Sequence, residues 1–210
     1  MELVNRVEII VSSLEQREVI DILNSVRVPG YTLIENSSGK GDRGICYNDL
    51  GREFSNSYIS TICTNQTQFE YLLRDILPIL KTIGGICLIT ASNSQISDDF
   101  SPSLTSLNLS IPIMQEVQKV EIVIDTSHIE DALNILESVF VSGYTIIKDT
   151  SGKGDRGLAS SDIDYGFSNS YIMTVCTNQK QLDNLVDKIT PLLKKIGGVC
   201  LVTDAKWVNH

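Results

Sequence analysis

The chain has 210 residues, which is enough for one large domain or for two domains of about 100 residues each. Its composition, 42% hydrophobic and 20% charged, is that of a globular protein, and its formal net charge of −9 argues against nucleic-acid binding, because a phosphate backbone requires a basic face. No basic start precedes a long apolar run and no apolar stretch approaches membrane-spanning length, so we expect a cytoplasmic protein.

The first part of the chain predicts six elements in the order strand, helix, strand, strand, helix, strand. The strands are short runs rich in β-branched residues, such as VEIIV and ICLIT. The helices carry apolar residues at helical spacing, and Gly84–Gly85 ends the second of them. The predicted segments are 7–11, 14–26, 31–35, 55–63, 68–83 and 86–90.

The same elements recur in the second part of the chain without an insertion. PGYTLIENSSGKGDRG matches SGYTIIKDTSGKGDRG, and the offset is 113 both for Gly39 with Gly152 (152 − 39) and for Cys87 with Cys200 (200 − 87). A period this long indicates duplicated domains. We therefore predict a first repeat at 1–92, a serine-rich linker at 93–118 and a second repeat at 119–210. The second set of segments is 120–124, 128–139, 144–148, 168–176, 180–195 and 199–203.

The order β-α-β-β-α-β predicts an α+β fold of two tandem ferredoxin-like domains, each with an antiparallel sheet and two helices on one face. The strands are apolar at nearly every position, so the other face of each sheet also needs a cover. We therefore expect a homo-oligomer that forms through the sheets.

A stretch of 17 residues, Ser37–Glu53, separates the second and third strands, and the second repeat has a stretch of the same length. This is much longer than an ordinary hairpin loop. Glycines at 39, 41 and 44 allow positive φ angles that could turn backbone amides toward one anion. Lys40 could add a point charge and Arg43 a planar fork. The alternative is a tight turn with solvated charges.

Gly39, Gly41 and Gly44 have the spacing G-x-G-x-x-G, but their surroundings do not match any of three known nucleotide-binding motifs. The dinucleotide fingerprint needs a helix directly after the glycines, and the P-loop needs G-K-[ST]. A kinase glycine loop needs H-R-D and D-F-G elsewhere, which the sequence lacks. We exclude all three interpretations.

The sequence offers neither a metal site nor a catalytic centre. Its five cysteines form no C-x-x-C pair, it has only two histidines, and neither histidine recurs in the other repeat. Cys63 and Cys176 occupy matching places, as do Cys87 and Cys200, so we predict four small buried hydrophobic residues in a reducing compartment. We predict no catalytic residue and no tightly bound cofactor.

The order of elements, the GYT second strand, the long glycine-rich basic loop and the glycine turn before the last strand resemble the P-II-like signal transduction proteins. The resemblance covers both repeats. It implies a trimer with adenine nucleotides in clefts between domains or subunits, and a long T-loop that signals to a transporter or metabolic enzyme. It also implies effector contacts at matching residues, which are Thr32, Gly39, Lys40, Gly41, Asp42, Arg43, Gly44, Gly84, Gly85, Thr145, Gly152, Lys153, Gly154, Asp155, Arg156, Gly157, Gly197 and Gly198.

The sequence departs from the nitrogen regulators of that family in three places. The glycine turn is shortened to KTIGGI and KKIGGV, the basic pair after the last strand is missing, and Tyr47 and Tyr165 do not stand in the setting of the modified tyrosine. Binding of ATP with 2-oxoglutarate and uridylylation are therefore not carried over. We expect a sensor of a small anionic effector. The alternatives are a ligand-free structural or interaction oligomer and, third, a small enzyme on a ferredoxin-like scaffold.

Overall fold

The structure, a computed structural model, describes residues 2–41, 44–46, 55–94, 114–154, 157–159 and 168–208. The strands are β1 (Glu2–Ser12), β2 (Tyr31–Gly41), β3 (Gly44–Cys46), β4 (Asn56–Cys63), β5 (Ile86–Ser94), β6 (Met114–Asp125), β7 (Tyr144–Thr150), β8 (Gly152–Gly154), β9 (Gly157–Ala159), β10 (Asn169–Cys176) and β11 (Val199–Val208). The helices are α1 (Gln16–Val26), α2 (Gln66–Ile83), α3 (Ile129–Ser138) and α4 (Gln179–Ile196). Four helices and antiparallel strands confirm the mixed α and β content. No described helix is both long and apolar enough to cross a membrane.

The described residues divide into two compact units, and each unit includes a short segment of the other repeat. Unit 1 contains 2–36, 55–94, 114–116 and 205–208, and unit 2 contains 37–41, 44–46, 117–154, 157–159 and 168–204. Strand β2 thus begins in unit 1 and ends in unit 2, while β11 does the reverse. Much of the predicted linker lies outside the described residues.

In unit 1 strand β1 lies between β4 and β5 and pairs antiparallel with both, so that Ile9 faces Ile59 on one side and Cys87 on the other. Because side chains alternate along a strand, Val7, Ile9 and Val11 share one face. That face carries the core, which α1 and α2 complete. The helix residues in this core are Val19, Leu23, Val26, Phe69, Leu72, Leu73, Ile76 and Leu80.

In unit 2 strand β10, the counterpart of β4, lies between β6 and β7. Ile172 of β10 faces Ile122 and Ile146 in two antiparallel pairings. Its core contains alternate residues of β6 together with residues of α3 and α4, namely Ala132, Leu136, Leu182, Leu185 and Ile189. The long helices begin at asparagine caps, because Asn65 accepts the amide hydrogen of Gln68 and Asn178 that of Gln181.

The predicted 17-residue loops begin with β structure. Strand β2 continues to Gly41 and pairs with β3, with Gly39 opposite Cys46 and Gly41 opposite Gly44. In the second repeat β8 and β9 form the equivalent hairpin, with Gly154 opposite Gly157. The prediction of a loop from Ser37 was therefore wrong for this part, since the glycine-rich stretch extends the strand. Residues 47–54 and 160–167 lie outside the described part of the chain.

We expect the folded state to lose stability above pH 9 because of its buried thiols. Burial raises the pKa of Cys63 and Cys87 from 9.0 to about 12, and that of Cys176 to about 11. Above pH 9 the unfolded chain releases these protons while the folded chain retains them, so the free energy of unfolding falls until the folded pKa is reached. The loss is about 1.4 kcal/mol per pH unit for each thiol.

Denaturant midpoints measured from pH 7 to 11 check this expectation. A variant with Cys63→Ala and Cys87→Ala is expected to be less stable at pH 7 but to have a smaller slope against pH. An unchanged slope would show that other titrating groups cause the loss of stability at alkaline pH.

Candidate functional site

The glycine-rich segment of the first repeat lies beside the second strand of the second repeat within unit 2. Strand β2 pairs antiparallel with β7, with Ser38 opposite Ile146, Gly39 opposite Thr145 and Lys40 opposite Tyr144. The approach is close, since a Cβ on Gly39 would lie 2.3 Å from the backbone oxygen of Tyr144. One on Gly143 would lie 2.4 Å from the oxygen of Lys40. Only glycine fits at both positions.

Gly39 therefore serves a purpose other than the positive φ that the sequence indicated. Gly39 and Gly41 are strand residues, and of the glycines in this hairpin only Gly44 has a positive φ, 104°. The positive φ angles predicted for Gly39 and Gly41 are not found, because both residues lie in the extended strand β2 and Gly39 is paired on both sides. An anion at this hairpin would depend on its cationic side chains.

Lys40 is the described cation of this hairpin. Its Nζ lies 3.1 Å from Oε1 of Glu137, and both side chains are nearly half exposed. Such an exposed ion pair contributes about 0–1 kcal/mol, so a more highly charged anion can displace the carboxylate. The neighbouring Asp42 and Arg43 lie outside the described residues, as do Asp155 and Arg156 of the second repeat. The backbone of Lys153 and Gly154 forms part of β8.

The two equivalent threonines have different environments. Thr145 is buried in unit 2 opposite Gly39, while Thr32 is exposed in unit 1. In the free chain only Thr32 is therefore accessible to an effector through its side chain. The structure thus brings Gly39, Lys40 and Gly41 together with Thr145, and it leaves Thr32 solvent-exposed.

The paired glycines before the last strand of each repeat lie in helix-to-strand turns. Gly84 and Gly197 donate their amides to Leu80 and Leu193, both at 2.8 Å, and so cap α2 and α4. Gly85 and Gly198 have positive φ angles of 131° and 123°. A Cβ on either would lie 2.6 Å from a backbone oxygen of the neighbouring strand. Helix capping and close packing account for these glycines, and any contact with phosphate would be additional.

Each unit also contains a buried polar cluster that the sequence patterns above do not predict. In unit 1, Glu8 is fully buried, accepts a hydrogen bond from the Tyr58 hydroxyl and pairs with Arg6 at 3.2 Å. These side chains lie on the sheet face opposite Val7 and Ile9. Burial first, and then the charge of Glu8, raises the pKa of Tyr58 far above its ordinary range.

Unit 2 has the matching cluster. Lys119 lies 3.0 Å from Glu121, which also accepts from the Tyr171 hydroxyl. The signal in the sequence was a cation and a glutamate two residues apart inside an apolar strand, as in RVEII and KVEIV. Among the described residues no three His, Cys, Asp or Glu side chains are grouped to hold a metal ion.

Several solved structures are similar to parts of the chain. Two structures of CPII, a nitrogen regulatory PII-like protein from Thiomonas intermedia K12 bound to ADP, AMP and bicarbonate, are 24% and 26% identical, with TM-scores of 0.42 and 0.40. They cover 46% and 45% of this chain and 92% and 97% of their own. A protein from Galdieria sulphuraria covers 97% of this chain and 99% of its own at 10% identity and a TM-score of 0.32.

No curated protein sequence matches the chain. The sequence profile of the family described as Nitrogen regulatory protein P-II matches twice, at residues 4–95 and 117–209. The two matches together include most of the 210 residues and fall on the two repeats that the internal similarity delimits. The chain therefore belongs to the nitrogen regulatory protein P-II family, and it contains two tandem copies of the region that defines this family.

Proposed function

We propose that the protein is a regulatory sensor whose glycine-rich hairpins bind a small anionic effector, an adenine nucleotide, and whose long loops signal occupancy to a protein partner. The observation that carries the proposal is the hairpin from Gly39 to Cys46, which presents Lys40 beside the backbone of Tyr144. Membership of the P-II family supports a regulatory role with a small ligand. A transporter or a metabolic enzyme is the proposed class of partner.

The charge distribution supports an anion at this place. The chain carries a formal charge of −9, yet Lys40 and Arg43 stand within four residues of each other, and Lys153 and Arg156 repeat them. A lysine supplies a compact charge to a phosphate and an arginine grips two of its oxygens. Glu137 neutralises Lys40 only through an exposed contact, so a phosphate group can exchange with that carboxylate.

The hairpin also explains how binding could be signalled. Its outer segments differ between the repeats, ICYNDLGRE in the first and LASSDIDYG in the second. A ligand held at the base of each hairpin would order the segment that follows, and the cost of ordering would come from the binding energy. Different outer segments would then offer two different surfaces to partners. The proposed fold of each repeat remains the ferredoxin-like arrangement, which places this loop between its second and third strands.

We expect AMP, ADP or ATP to raise the thermal midpoint of the protein. A ligand at 100 times its dissociation constant adds about 2.7 kcal/mol to the free energy of unfolding. Arg43→Ala and Lys40→Ala are expected to abolish the part of the shift that the first hairpin contributes, and Arg156→Ala the part from the second. Lys206→Ala is the matched control, because this exposed lysine also pairs with a glutamate, Glu116, and belongs to unit 1, whereas Lys40 belongs to unit 2.

Three outcomes would contradict the proposal. A shift that survives all three substitutions would place the ligand elsewhere. No shift with any of these nucleotides would favour a ligand-free structural or interaction oligomer. Turnover of the nucleotide would favour the alternative that the protein is a small enzyme on a ferredoxin-like scaffold.

A further inference from the structure

The turn after helix α3 holds the most exposed large apolar side chain in the described part of the chain. Phe140 is 86% exposed, and its backbone has a positive φ of 56°. Its amide donates to the carbonyl oxygen of Glu137 at 3.0 Å. The Val141 amide donates to that of Leu136 at 3.4 Å, which completes a Schellman cap. Glycine usually occupies the position with positive φ in such a cap, so an aromatic residue there adds strain while its ring stays in water.

The first repeat has the same cap with a different side chain. Arg27 stands 113 residues before Phe140 (140 − 27) and has a φ of 58°. The amides of residues 27 and 28 donate to the carbonyl oxygens of 24 and 23 in the same pattern. Water solvates the charged end of an exposed arginine, whereas it does not solvate a phenylalanine ring in this way. The cap is common to both repeats, so it does not account for the exposed ring of the second.

Two lysines lie at the same end of α3. The ammonium of Lys40 is 3.1 Å from Oε1 of Glu137. The ammonium of Lys188, from α4, is 2.8 Å from the hydroxyl of Ser138. These two partners are adjacent in the chain and directly precede the turn that contains Phe140. Both lysine contacts are exposed, so both ammonium groups are available to an anion.

The backbone places Phe140 beside the hairpin. A Cβ on Gly143, three residues after Phe140, would lie 2.4 Å from the backbone oxygen of Lys40 and 3.3 Å from the Cα of Gly41. Glu137, three residues before Phe140, pairs with the Lys40 side chain. The stretch 137–143 therefore contacts Lys40 at both of its ends, with the aromatic residue at its middle. One end of α3 in unit 2 thus has an aromatic ring and two ammonium groups.

We propose that Phe140 is the platform on which the base of the nucleotide stacks, while Lys40 and Lys188 bind its phosphates. The inference rests on the proposed function and adds to it the residue that recognises the base. A base presents a flat π face to an aromatic ring, and stacking covers that ring without requiring a hydrogen bond. Stacking tolerates every base, so this contact selects nucleoside phosphates over plain anions and does not select adenine over guanine.

The first repeat lacks this combination of residues. The residues that match Glu137, Phe140 and Lys188 are Asn24, Arg27 and Asp75. The last of these is acidic and pairs with Arg74. We therefore expect the base to stack at one place in each chain, beside the hairpin that contains Lys40.

Calorimetric titration with ADP and with pyrophosphate, which lacks the base, tests the platform at the site that Lys40→Ala removes. Phe140→Ala is expected to weaken ADP binding about tenfold or more, as when a stacked base loses its aromatic partner, and to leave pyrophosphate binding unchanged. Lys188→Ala is expected to weaken the binding of both ligands. Arg27→Ala is the matched control, because it truncates the residue at the same cap position of the first repeat. Both cap side chains are exposed, so the variants are expected to fold as the wild type does.

Fluorescence gives a second measurement that responds to stacking itself. Phe140→Trp in a Trp207→Phe background puts the single tryptophan of the chain on the platform. We expect ADP to quench its fluorescence and pyrophosphate to leave it unchanged. Tight ADP binding that Phe140→Ala does not weaken would overturn the inference and retain the proposed function. Pyrophosphate binding as tight as that of ADP would do the same. A wild-type protein that binds neither ligand would contradict the proposed function and the inference with it.

Discussion

Gly39→Ala is expected to lower the free energy of unfolding by about 3 kcal/mol, the upper part of the range for forcing volume into a packed site. The added Cβ would lie 2.3 Å from the backbone oxygen of Tyr144 and 3.3 Å from the Cα of Thr145. Neither atom belongs to a flexible side chain, so β2 and β7 would have to separate. Denaturant unfolding measures this loss of free energy, and an unchanged m-value would show that the denatured state is the same in both proteins.

The second repeat supplies the control for this substitution. Gly152→Ala changes the matching residue, whose Cβ would meet, in the part of the chain that the structure describes, only the Asn169 side chain at an ordinary 3.6 Å. We expect an effect within about 0.5 kcal/mol, as for a surface substitution. Equal losses at Gly39 and Gly152 would show that the two hairpins have the same environment, contrary to the structure.

Glu121→Ala is expected to destabilise the protein by about 3–5 kcal/mol, the usual loss when one partner of a buried ion pair is removed. The side chain of Lys119 is only 2% exposed, and its ammonium lies 3.0 Å from the Glu121 carboxylate. Without that carboxylate the buried ammonium loses a counter-charge at 3.0 Å, and the Tyr171 hydroxyl loses a hydrogen-bond acceptor. Thermal or denaturant unfolding at pH 7 measures the loss.

Two further variants separate charge burial from a general effect of the substitution. Replacing both partners, Lys119→Met with Glu121→Leu, is expected to recover much of the loss, because no uncompensated charge remains. Glu116→Ala removes an exposed carboxylate that pairs with Lys206 at 3.6 Å, and we expect a change within about 0.5 kcal/mol. A loss well below about 3–5 kcal/mol after Glu121→Ala would show that the Lys119–Glu121 contact contributes little to stability.

The sequence predicted most helices and strands because the spacing of apolar residues within one element is a local signal. Each predicted helix and strand overlaps an observed one, and the buried stripe Leu72, Leu73, Ile76 and Leu80 of α2 follows directly from helical spacing. The extension of β2 to Gly41 was missed for a physical reason. The stretch SSGKG has no alternation of apolar residues, and its strand is fixed by pairing with β7, about 100 residues further along the chain.

The candidate site shows the same limit. The sequence located the glycines and cations, but it could not tell whether Gly39 was needed for a positive φ or for close approach. Nor could it distinguish Thr32 from Thr145, since both follow a GY pair. The burial of Thr145 comes with its pairing to Gly39, a tertiary contact that the local sequence does not encode. The clusters around Glu8 and Glu121 could have been predicted, because each has two charged residues at alternate positions of an apolar strand.

The central claim is that a small anion binds at the hairpin that contains Lys40. Hydrogen–deuterium exchange with and without saturating ADP tests it most directly, because it reports both binding and its location. We predict slower exchange at 37–46, with the adjoining strand around 143–147 also protected. Tight binding of ADP with unchanged exchange in these two segments would contradict the claim.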